Sequence, residues 1–246
     1  ISVLYGVIAF YNLGDRNVPE SSCYIDSEES VVFKFDKDTQ ISKMEYYLGN
    51  YEEREFDVFA SDDGENWINL GNLTMESVFR WDSYKIDTAT SYIRLSLISE
   101  KAVINEIVFR DADNNIIEPL NSSDDNIKEL FDEQILAADE FTYRNGTIFD
   151  EIYHARSAYE FNNGLYCYEW THPPLGKVFI SLGMKIFGTN PFGWRFAGTL
   201  FGILMLPFMY VFGKKMFKST FFATVTCLFM AFDFMHFAQT RIATID

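Results

Sequence analysis

The residues best suited to chemistry lie in the run Phe149–Lys177, FDEIYHARSAYEFNNGLYCYEWTHPPLGK. The run contains the adjacent carboxylates Asp150 and Glu151, two histidines, a Pro-Pro step and a lysine. A carboxylate beside an acceptor hydroxyl can remove its proton, while nearby cations stabilise the charge that builds on a phosphate leaving group. The run therefore predicts a general-base site for an anionic substrate. The alternative is that Asp150 only caps a helix and Glu151 faces water.

Two short helices are expected to position these residues. The first covers 149–162, and the pattern Thr147-x-x-Asp150 fits a capping box at its start. The second covers 173–188, begins at proline and has apolar residues at helical spacing. A basic amphipathic helix of this kind is typical of the membrane interface, so we expect its lysines to face lipid headgroup phosphates. The polar residues that share one face of this second helix are Lys177, Ser181 and Lys185.

The run also lies where the sequence changes from a strongly acidic part to a mildly basic one. The chain has 34 acidic and 13 basic residues from Gly14 to His172, and 2 acidic and 7 basic residues from Pro173 to Asp246. Nucleic-acid binding needs cations against phosphates, so the acidic part argues against a nucleic-acid partner. The three cysteines form no CxxC motif, and no cluster of His, Cys and Asp has metal-ligand spacing. We therefore expect no required metal.

Apolar runs in the second part of the sequence predict membrane helices. Residues 194–213 and 219–238 are each long enough to span a bilayer. The lysine-rich loop at 214–218 between them is cytoplasmic by the positive-inside rule, which places 14–193 outside the cell. Residues 1–13 are expected to be the end of a transmembrane helix that is truncated upstream. The sequence is accordingly expected to be a fragment of a larger integral protein of the cell membrane.

Short alternating runs at 20–118 predict an antiparallel β-sandwich. FDVFASDDGENWINLGN (Phe56–Asn72) and YIRLSLISEKAVINEIVFRD (Tyr92–Asp111) resemble the discoidin, or factor V/VIII type C, family of jelly rolls. The resemblance implies a domain that binds glycans or cell surfaces. Trp67 and Trp81 could stack on sugars, although core or turn positions are the favoured interpretation.

Residues 119–148 are polar and are expected to form a linker with a short helix at 126–138. The predicted fold class is thus α+β and multidomain. An antiparallel, discoidin-like β-sandwich is followed by an all-α transmembrane region with juxtamembrane helices at 149–162 and 173–188 and membrane helices at 194–213 and 219–238.

A second resemblance covers residues 149–246. FDEIYHARSAYEF, THPPLGK, FGTNPFGWR and TRIATID, in this order, are similar to the bacterial branch of the protein O-mannosyltransferase family. The resemblance implies a membrane glycosyltransferase of the GT-C architecture. Such enzymes transfer mannose from a polyprenyl-phosphate mannose donor to Ser/Thr hydroxyls of exported proteins and invert the anomeric centre. It implies no cofactor beyond this lipid-linked donor substrate, and it implies a protein acceptor and membrane lipid as partners.

The resemblance also implies roles for individual residues. Asp150 corresponds to the catalytic carboxylate that contacts the acceptor hydroxyl, and Glu151 to its paired acid. Arg195, at the external start of a span, corresponds to the arginine associated with the donor phosphate, and a cation suits that position physically. The residues that correspond to the lining of the site, or to a later segment that returns to it, are His172, Pro173, Pro174, Lys177, Arg241 and Asp246.

Three functions remain open on sequence alone. The first is protein O-mannosylation, with the sandwich guiding acceptor or glycan. The second is a related GT-C enzyme that moves another lipid-linked sugar to a lipid or wall glycan. The third is a membrane-anchored glycan-binding protein without activity, and the order of the DE and HPPLGK motifs argues against it.

Overall fold

The computed structural model describes residues 1–26, 29–49 and 54–245. The chain divides into two compact units, one of residues 18–141 and one that combines 1–17 with the residues from 142 onward. The boundary between them falls inside the region that the sequence predicts to be a linker.

The unit of residues 18–141 is an antiparallel β-sandwich, as predicted. Its described strands are β1 (Cys23–Asp26), β2 (Ser30–Leu48), β3 (Arg54–Ser61), β4 (Ile68–Met75), β5 (Arg80–Leu97), β6 (Lys101–Ile104), β7 (Glu106–Arg110) and β8 (Ile116–Ile117). Six of them form a sheet in the order β4-β3-β5-β2-β7-β8, and β1 pairs with β6. The long strands β2 and β5 pair with register shifts after Lys34 and after Ile41. Such bulges bend a strand pair.

Strand alternation builds the core of the sandwich. In β1, for example, Cys23 and Ile25 are buried while Tyr24 and Asp26 are exposed, which is the period-two pattern of a half-buried strand. Aromatic rings dominate the interior, where Phe33 lies edge-on to Phe109 with 5.1 Å between ring centroids. Edge-to-face pairs of this kind add to the stabilisation that burial provides.

The predicted linker is wrong for residues 119–141, which belong to the sandwich. Leu130 and Phe131 are buried in its core, and the Phe131 ring meets Phe33 edge-on at 5.7 Å. The single helix predicted at 126–138 is also wrong, and its apolar residues Ile127, Leu130 and Phe131 pack into the sandwich core. Two short 3-10 helices occur there instead, Lys128–Leu130 and Gln134–Leu136.

The two tryptophans of the sandwich are engaged within it. Trp81 is buried and packs on Tyr47, with ring centroids 5.5 Å apart, so the core interpretation is confirmed for this residue. Trp67 is half-buried, and the Arg94 guanidinium lies 4.2 Å from its ring centroid. A cation over an aromatic face is a favourable contact, and here the guanidinium covers one face of the Trp67 ring.

A buried carboxyl makes the sandwich sensitive to pH. Glu106 is fully buried and accepts hydrogen bonds from Gln134 Nε2 (2.7 Å) and Glu133 N (3.3 Å). Burial raises the pKa of Glu106 to about 8, although these hydrogen bonds oppose the rise. In the unfolded chain the same carboxyl ionises near its ordinary pKa of about 4.3. Its contribution to stability is therefore complete below that value and is lost as the pH rises through about 8.

We expect the free energy of unfolding of residues 18–141 to fall by a few kcal/mol between pH 5 and pH 8.5. Glu106→Gln should remove most of this slope, because glutamine fills the same space and never ionises. Urea unfolding across this pH range measures both curves. An equal slope in the wild type and in Glu106→Gln would contradict the prediction.

The second unit is helical. Its helices are α1 (Ser2–Phe10), α2 (Glu151–Asn163), α3 (Pro174–Phe187), α4 (Pro191–Phe217), α5 (Thr220–Ala231) and α6 (Phe234–Gln239). Asn190 caps α4, since its Oδ1 accepts the Gly193 N–H at 2.8 Å, and Pro191 takes the first helical position. Lys214 and Lys215 lie in the last turn of α4, where positively charged side chains interact favourably with the negative end of the helix dipole.

The described residues contain one helix long and apolar enough to cross a membrane, α4. The single helix predicted at 219–238 is wrong, because α5 ends at Ala231 and α6 starts at Phe234. Asp233 accounts for the break, since its carboxylate accepts the Met235 N–H at 3.0 Å and caps a new helix. Aspartate favours such N-cap positions over helix interiors.

Candidate active site

The adjacent carboxylates lie at the start of α2, where the backbone turns sharply. Phe149 has a φ of +50°, a left-handed conformation that is unusual for a bulky residue, and its ring is exposed. The helix begins at Glu151 with Asp150 as its N-cap residue, so the capping box predicted from Thr147 is wrong. The Glu151 carboxylate instead reaches back and accepts the Ile148 N–H at 2.9 Å.

The Asp150 side chain is half-buried and makes no capping hydrogen bond. Throughout the described part of the chain, its carboxylate has no hydrogen-bond or ion-pair partner. Its two oxygens are therefore open to an incoming hydrogen-bond donor.

Glu151, by contrast, is fully buried in an ion pair. Its carboxylate takes two hydrogen bonds from Arg195, from Nε at 2.6 Å and from an Nη atom at 2.5 Å. Neither side chain is exposed to solvent. This is the bidentate arrangement in which arginine and carboxylate bind most strongly.

The remaining N–H groups of Arg195 bind backbone carbonyls. They donate to Leu13 O (2.9 Å), Tyr143 O (2.6 Å) and Gly146 O (3.0 Å). With the two bonds to Glu151, all five guanidinium donors are used. Arg195 therefore has no free N–H for the contact with a donor phosphate that the sequence predicted. Its guanidinium instead joins three chain segments.

The segment after α6 returns to Glu151. The backbone N–H of Ala243 donates to Glu151 Oε1 at 2.8 Å. Arg241 itself turns the other way and donates to Ala9 O at 3.0 Å and to Tyr11 O at 2.8 Å, at the end of α1. The return predicted for this segment is therefore made by the backbone of Ala243, while Asp246 lies outside the described residues.

Lys177 does not face lipid headgroups, contrary to the expectation for α3. It is 1% exposed, and its Nζ donates to the Glu169 carboxylate and, at 2.5 Å, to the Glu169 carbonyl. A buried lysine needs such a partner, since an unpaired charge is costly to bury. Lys185 on the same helix is exposed, as expected.

Glu169 also organises the loop before α3. Its Oε1 accepts the backbone N–H groups of Thr171 and His172. Burial opposes ionisation of Glu169, but the hydrogen bonds from Lys177, Thr171 and His172 prevail and lower its pKa to about 2. The loop and the start of α3 line a cleft of about 290 Å³ that includes Trp170, Pro173 and Pro174.

The outward face of α3 is apolar. Its exposed residues follow the helical spacing i, i+3, i+7 and i+11, while the opposite face packs on α2 through the hydrogen bond between Ser181 Oγ and Asn162 (2.5 Å). An apolar outer stripe suits a helix that lies in the membrane interface. The stripe consists of Leu175, Val178, Leu182 and Ile186.

Sequence reasoning missed Glu169 as a site residue. Its only local signal is its position three residues before His172, because its pairing with Lys177 requires the loop to fold back onto α3. It also missed that Glu151 and Arg195, 44 positions apart, bind each other.

Comparison with known proteins supplies independent information on this region. Residues 171–246 match the family described as dolichyl-phosphate-mannose-protein mannosyltransferase. A polyprenol-phosphate-mannose–protein mannosyltransferase of Mycobacterium tuberculosis is 32% identical over 109 residues, which are 40% of this chain and 20% of the relative. A protein of the same name from Mycolicibacterium smegmatis is 30% identical over 105 residues, again 40% of this chain and 20% of the relative. The chain thus spans about a fifth of the length of these curated relatives.

Solved structures were compared with the chain as well. A pectin-binding carbohydrate-binding module is 22% identical, with a TM-score of 0.35 over 42% of this chain and 80% of the module. The module of an alginate lyase in complex with 4,5-unsaturated mannuronic acid is 16% identical, with a TM-score of 0.33 over 42% of this chain and 86% of that one. The sandwich architecture rests on the strand pairing described above, and the sequence comparisons concern the helical unit. From residue 171 onward, this chain is similar to the dolichyl-phosphate-mannose-protein mannosyltransferase family.

Proposed function

We propose that the chain is part of a membrane glycosyltransferase that transfers mannose from a polyprenyl-phosphate donor to Ser/Thr hydroxyls of proteins. The observation that carries the proposal is the contrast between the two adjacent carboxylates. Glu151 is locked to Arg195, while Asp150 points from the same turn with its carboxylate unengaged. The family match begins at residue 171, shortly after this turn.

In the proposed reaction Asp150 is the general base. It takes the proton from the acceptor hydroxyl as the hydroxyl oxygen attacks the anomeric carbon of the mannose. The bond between that carbon and the phosphate oxygen breaks at the same time, and polyprenyl phosphate leaves with the electron pair. Attack from the face opposite the phosphate inverts the anomeric centre.

Glu151 and Arg195 have a positioning role in this proposal. The buried pair holds the start of α2 against the start of α4 and the backbone at Ala243, which fixes the turn that carries Asp150. Precise placement of a catalytic group contributes strongly to rate. The donor phosphate then requires cations other than Arg195.

The proposed location is the outer side of the cell membrane. The apolar stripe of α3 would lie in the outer interface, and α4 would cross to a cytoplasmic end at Lys214, Lys215 and Lys218. This arrangement puts Asp150 where a lipid-linked sugar and an exported acceptor protein can meet.

A donor and acceptor comparison tests the function. Membranes that contain the full-length protein should transfer radiolabelled mannose from polyprenyl-phosphate mannose to a Ser/Thr peptide. They should not transfer it to the same peptide with Ser and Thr replaced by Ala. Transfer of glucose or galactose from their polyprenyl-phosphate donors, or transfer to lipid instead of peptide, would support the related enzyme that moves another sugar. No transfer from any donor, together with glycan binding by the sandwich, would support the glycan-binding alternative.

A further inference from the structure

Three side chains from two neighbouring segments, α2 and the loop before α3, meet beside the proposed active site. His154 lies on α2, one helical turn after Asp150, and is 1% exposed. Glu169 and His172 come from the loop that precedes α3. One potential ligand atom from each of the three residues lies within 4.8 Å of the other two.

The geometry approaches that of a metal site. His172 Nδ1 and Glu169 Oε2 are 3.3 Å apart. Two ligands of a tetrahedral ion, each about 2.0–2.1 Å from the metal, are separated by about 3.3–3.4 Å. The His154 ring stands edge-on to His172, with 5.2 Å between centroids and 84° between planes, and one of its nitrogens lies within 4.8 Å of a potential ligand atom on each of the other two residues.

The surroundings of the cluster hold its ligands in place. The Oε1 atom of Glu169 is held by the N–H groups of Thr171 and His172, while Oε2 faces His172 Nδ1 and is also in contact with Lys177 Nζ. Hydrogen-bonded outer groups of this kind orient metal ligands. Pro173 follows His172 directly and limits the freedom of the loop.

The donor set indicates the class of ion. Two imidazoles and one carboxylate bind zinc and related divalent transition ions, with a fourth position left for water or substrate oxygen. Magnesium and calcium prefer all-oxygen sites and are disfavoured here.

We propose that His154, Glu169 and His172 form a binding site for a divalent transition-metal ion of the zinc class. The ion would link α2 to the loop before α3. Lys177 shares the same carboxylate and therefore competes with the ion for it. The proposal is independent of the mannosyl-transfer reaction, because it concerns only these ligands.

Cobalt(II) is a suitable probe, because its visible absorption reports tetrahedral coordination. We expect the full-length protein, purified in detergent without an affinity tag and stripped with a chelator, to bind one cobalt ion per chain at these residues with a tetrahedral spectrum. Zinc should then displace the cobalt. His172→Gln and Glu169→Gln should each abolish the spectrum, and Lys177→Met should strengthen binding by removing the competing ammonium.

Of the three histidines in this sequence, His236 provides a matched control. His236 lies on α6, outside the cluster, and its ring nitrogen is 3.2 Å from Gly202 O. His236→Gln should leave the cobalt spectrum unchanged. The proposal is overturned if the wild type gives no tetrahedral spectrum at millimolar cobalt, or if the spectrum persists in both His172→Gln and Glu169→Gln. His172 is partly exposed, so His172→Gln should fold even if changes at the buried His154 or at Glu169, the partner of buried Lys177, do not.

Discussion

Replacing Asp150 by asparagine is expected to lower the rate of mannosyl transfer by the full-length protein by at least about 100-fold. Asparagine keeps the size of the side chain but cannot accept the hydroxyl proton. Since the Asp150 carboxylate is half-buried and makes no capping hydrogen bond, the change should leave the unfolding temperature nearly unaltered. Initial rates at saturating donor and acceptor, measured beside thermal unfolding in detergent, provide the test.

Asp139 supplies the matched control for this experiment. It also belongs to an Asp-Glu pair, but its side chain is 89% exposed, and its ion pair with Arg110 has a distance of 3.7 Å. Asp139→Asn should therefore retain normal transfer. Asp150→Asn with wild-type activity would remove Asp150 from the role of base, whereas an equal loss in both variants would point to a general effect of removing acidic charge.

The second large effect is expected from the buried pair of Glu151 and Arg195. Glu151→Gln leaves the guanidinium buried without its counter-charge, and removal of one partner from a buried pair typically costs about 3–5 kcal/mol. We expect a clearly lower unfolding temperature of the helical unit and a loss of transfer that follows the loss of structure. Thermal unfolding and limited proteolysis of the detergent-solubilised protein measure both.

A double-variant cycle separates structural from chemical roles. Arg195→Met combined with Glu151→Gln should be less destabilised than the sum of the single variants, because neither charge is then left alone. The more exposed pair of Arg144 and Asp15 serves as a comparison, and Arg144→Gln should cost only about 1 kcal/mol or less. Additive losses at 151 and 195 would show that the two residues do not act as a pair.

Sequence patterns predicted those parts of the fold that depend on local periodicity. Alternation predicted the β-sandwich, and the 20-residue apolar run at 194–213 predicted a membrane helix that lies within α4. The same criterion of apolar length joined α5 and α6 into one predicted span, because Asp233 is the only charged residue in 219–238. The capping bond from Asp233 to Met235 decides the break, and that bond depends on individual atoms.

The ion-pair and hydrogen-bond partners of the charged residues could not be predicted from the spacing of residues in the sequence. Lys177 has the spacing of an exposed lysine on an amphipathic helix, yet a loop carboxylate eight residues earlier draws it inside. Arg195 was expected to be near the site, but its five donors are distributed over segments from Leu13 to Glu151. Such pairings arise only when distant segments meet, so they become visible only in the folded chain.

The join between residues 15 and 144 has a consequence for how this protein could have evolved. The backbone N–H of Asp15 donates to Arg144 O at 2.8 Å, and the two side chains form an ion pair at 3.0 Å. The chain therefore leaves the helical unit and re-enters it at neighbouring points, which is the arrangement that tolerates domain insertion best. An ancestral helical protein could have gained the sandwich at this place, and could exchange it for another module, without rearranging the residues around Asp150.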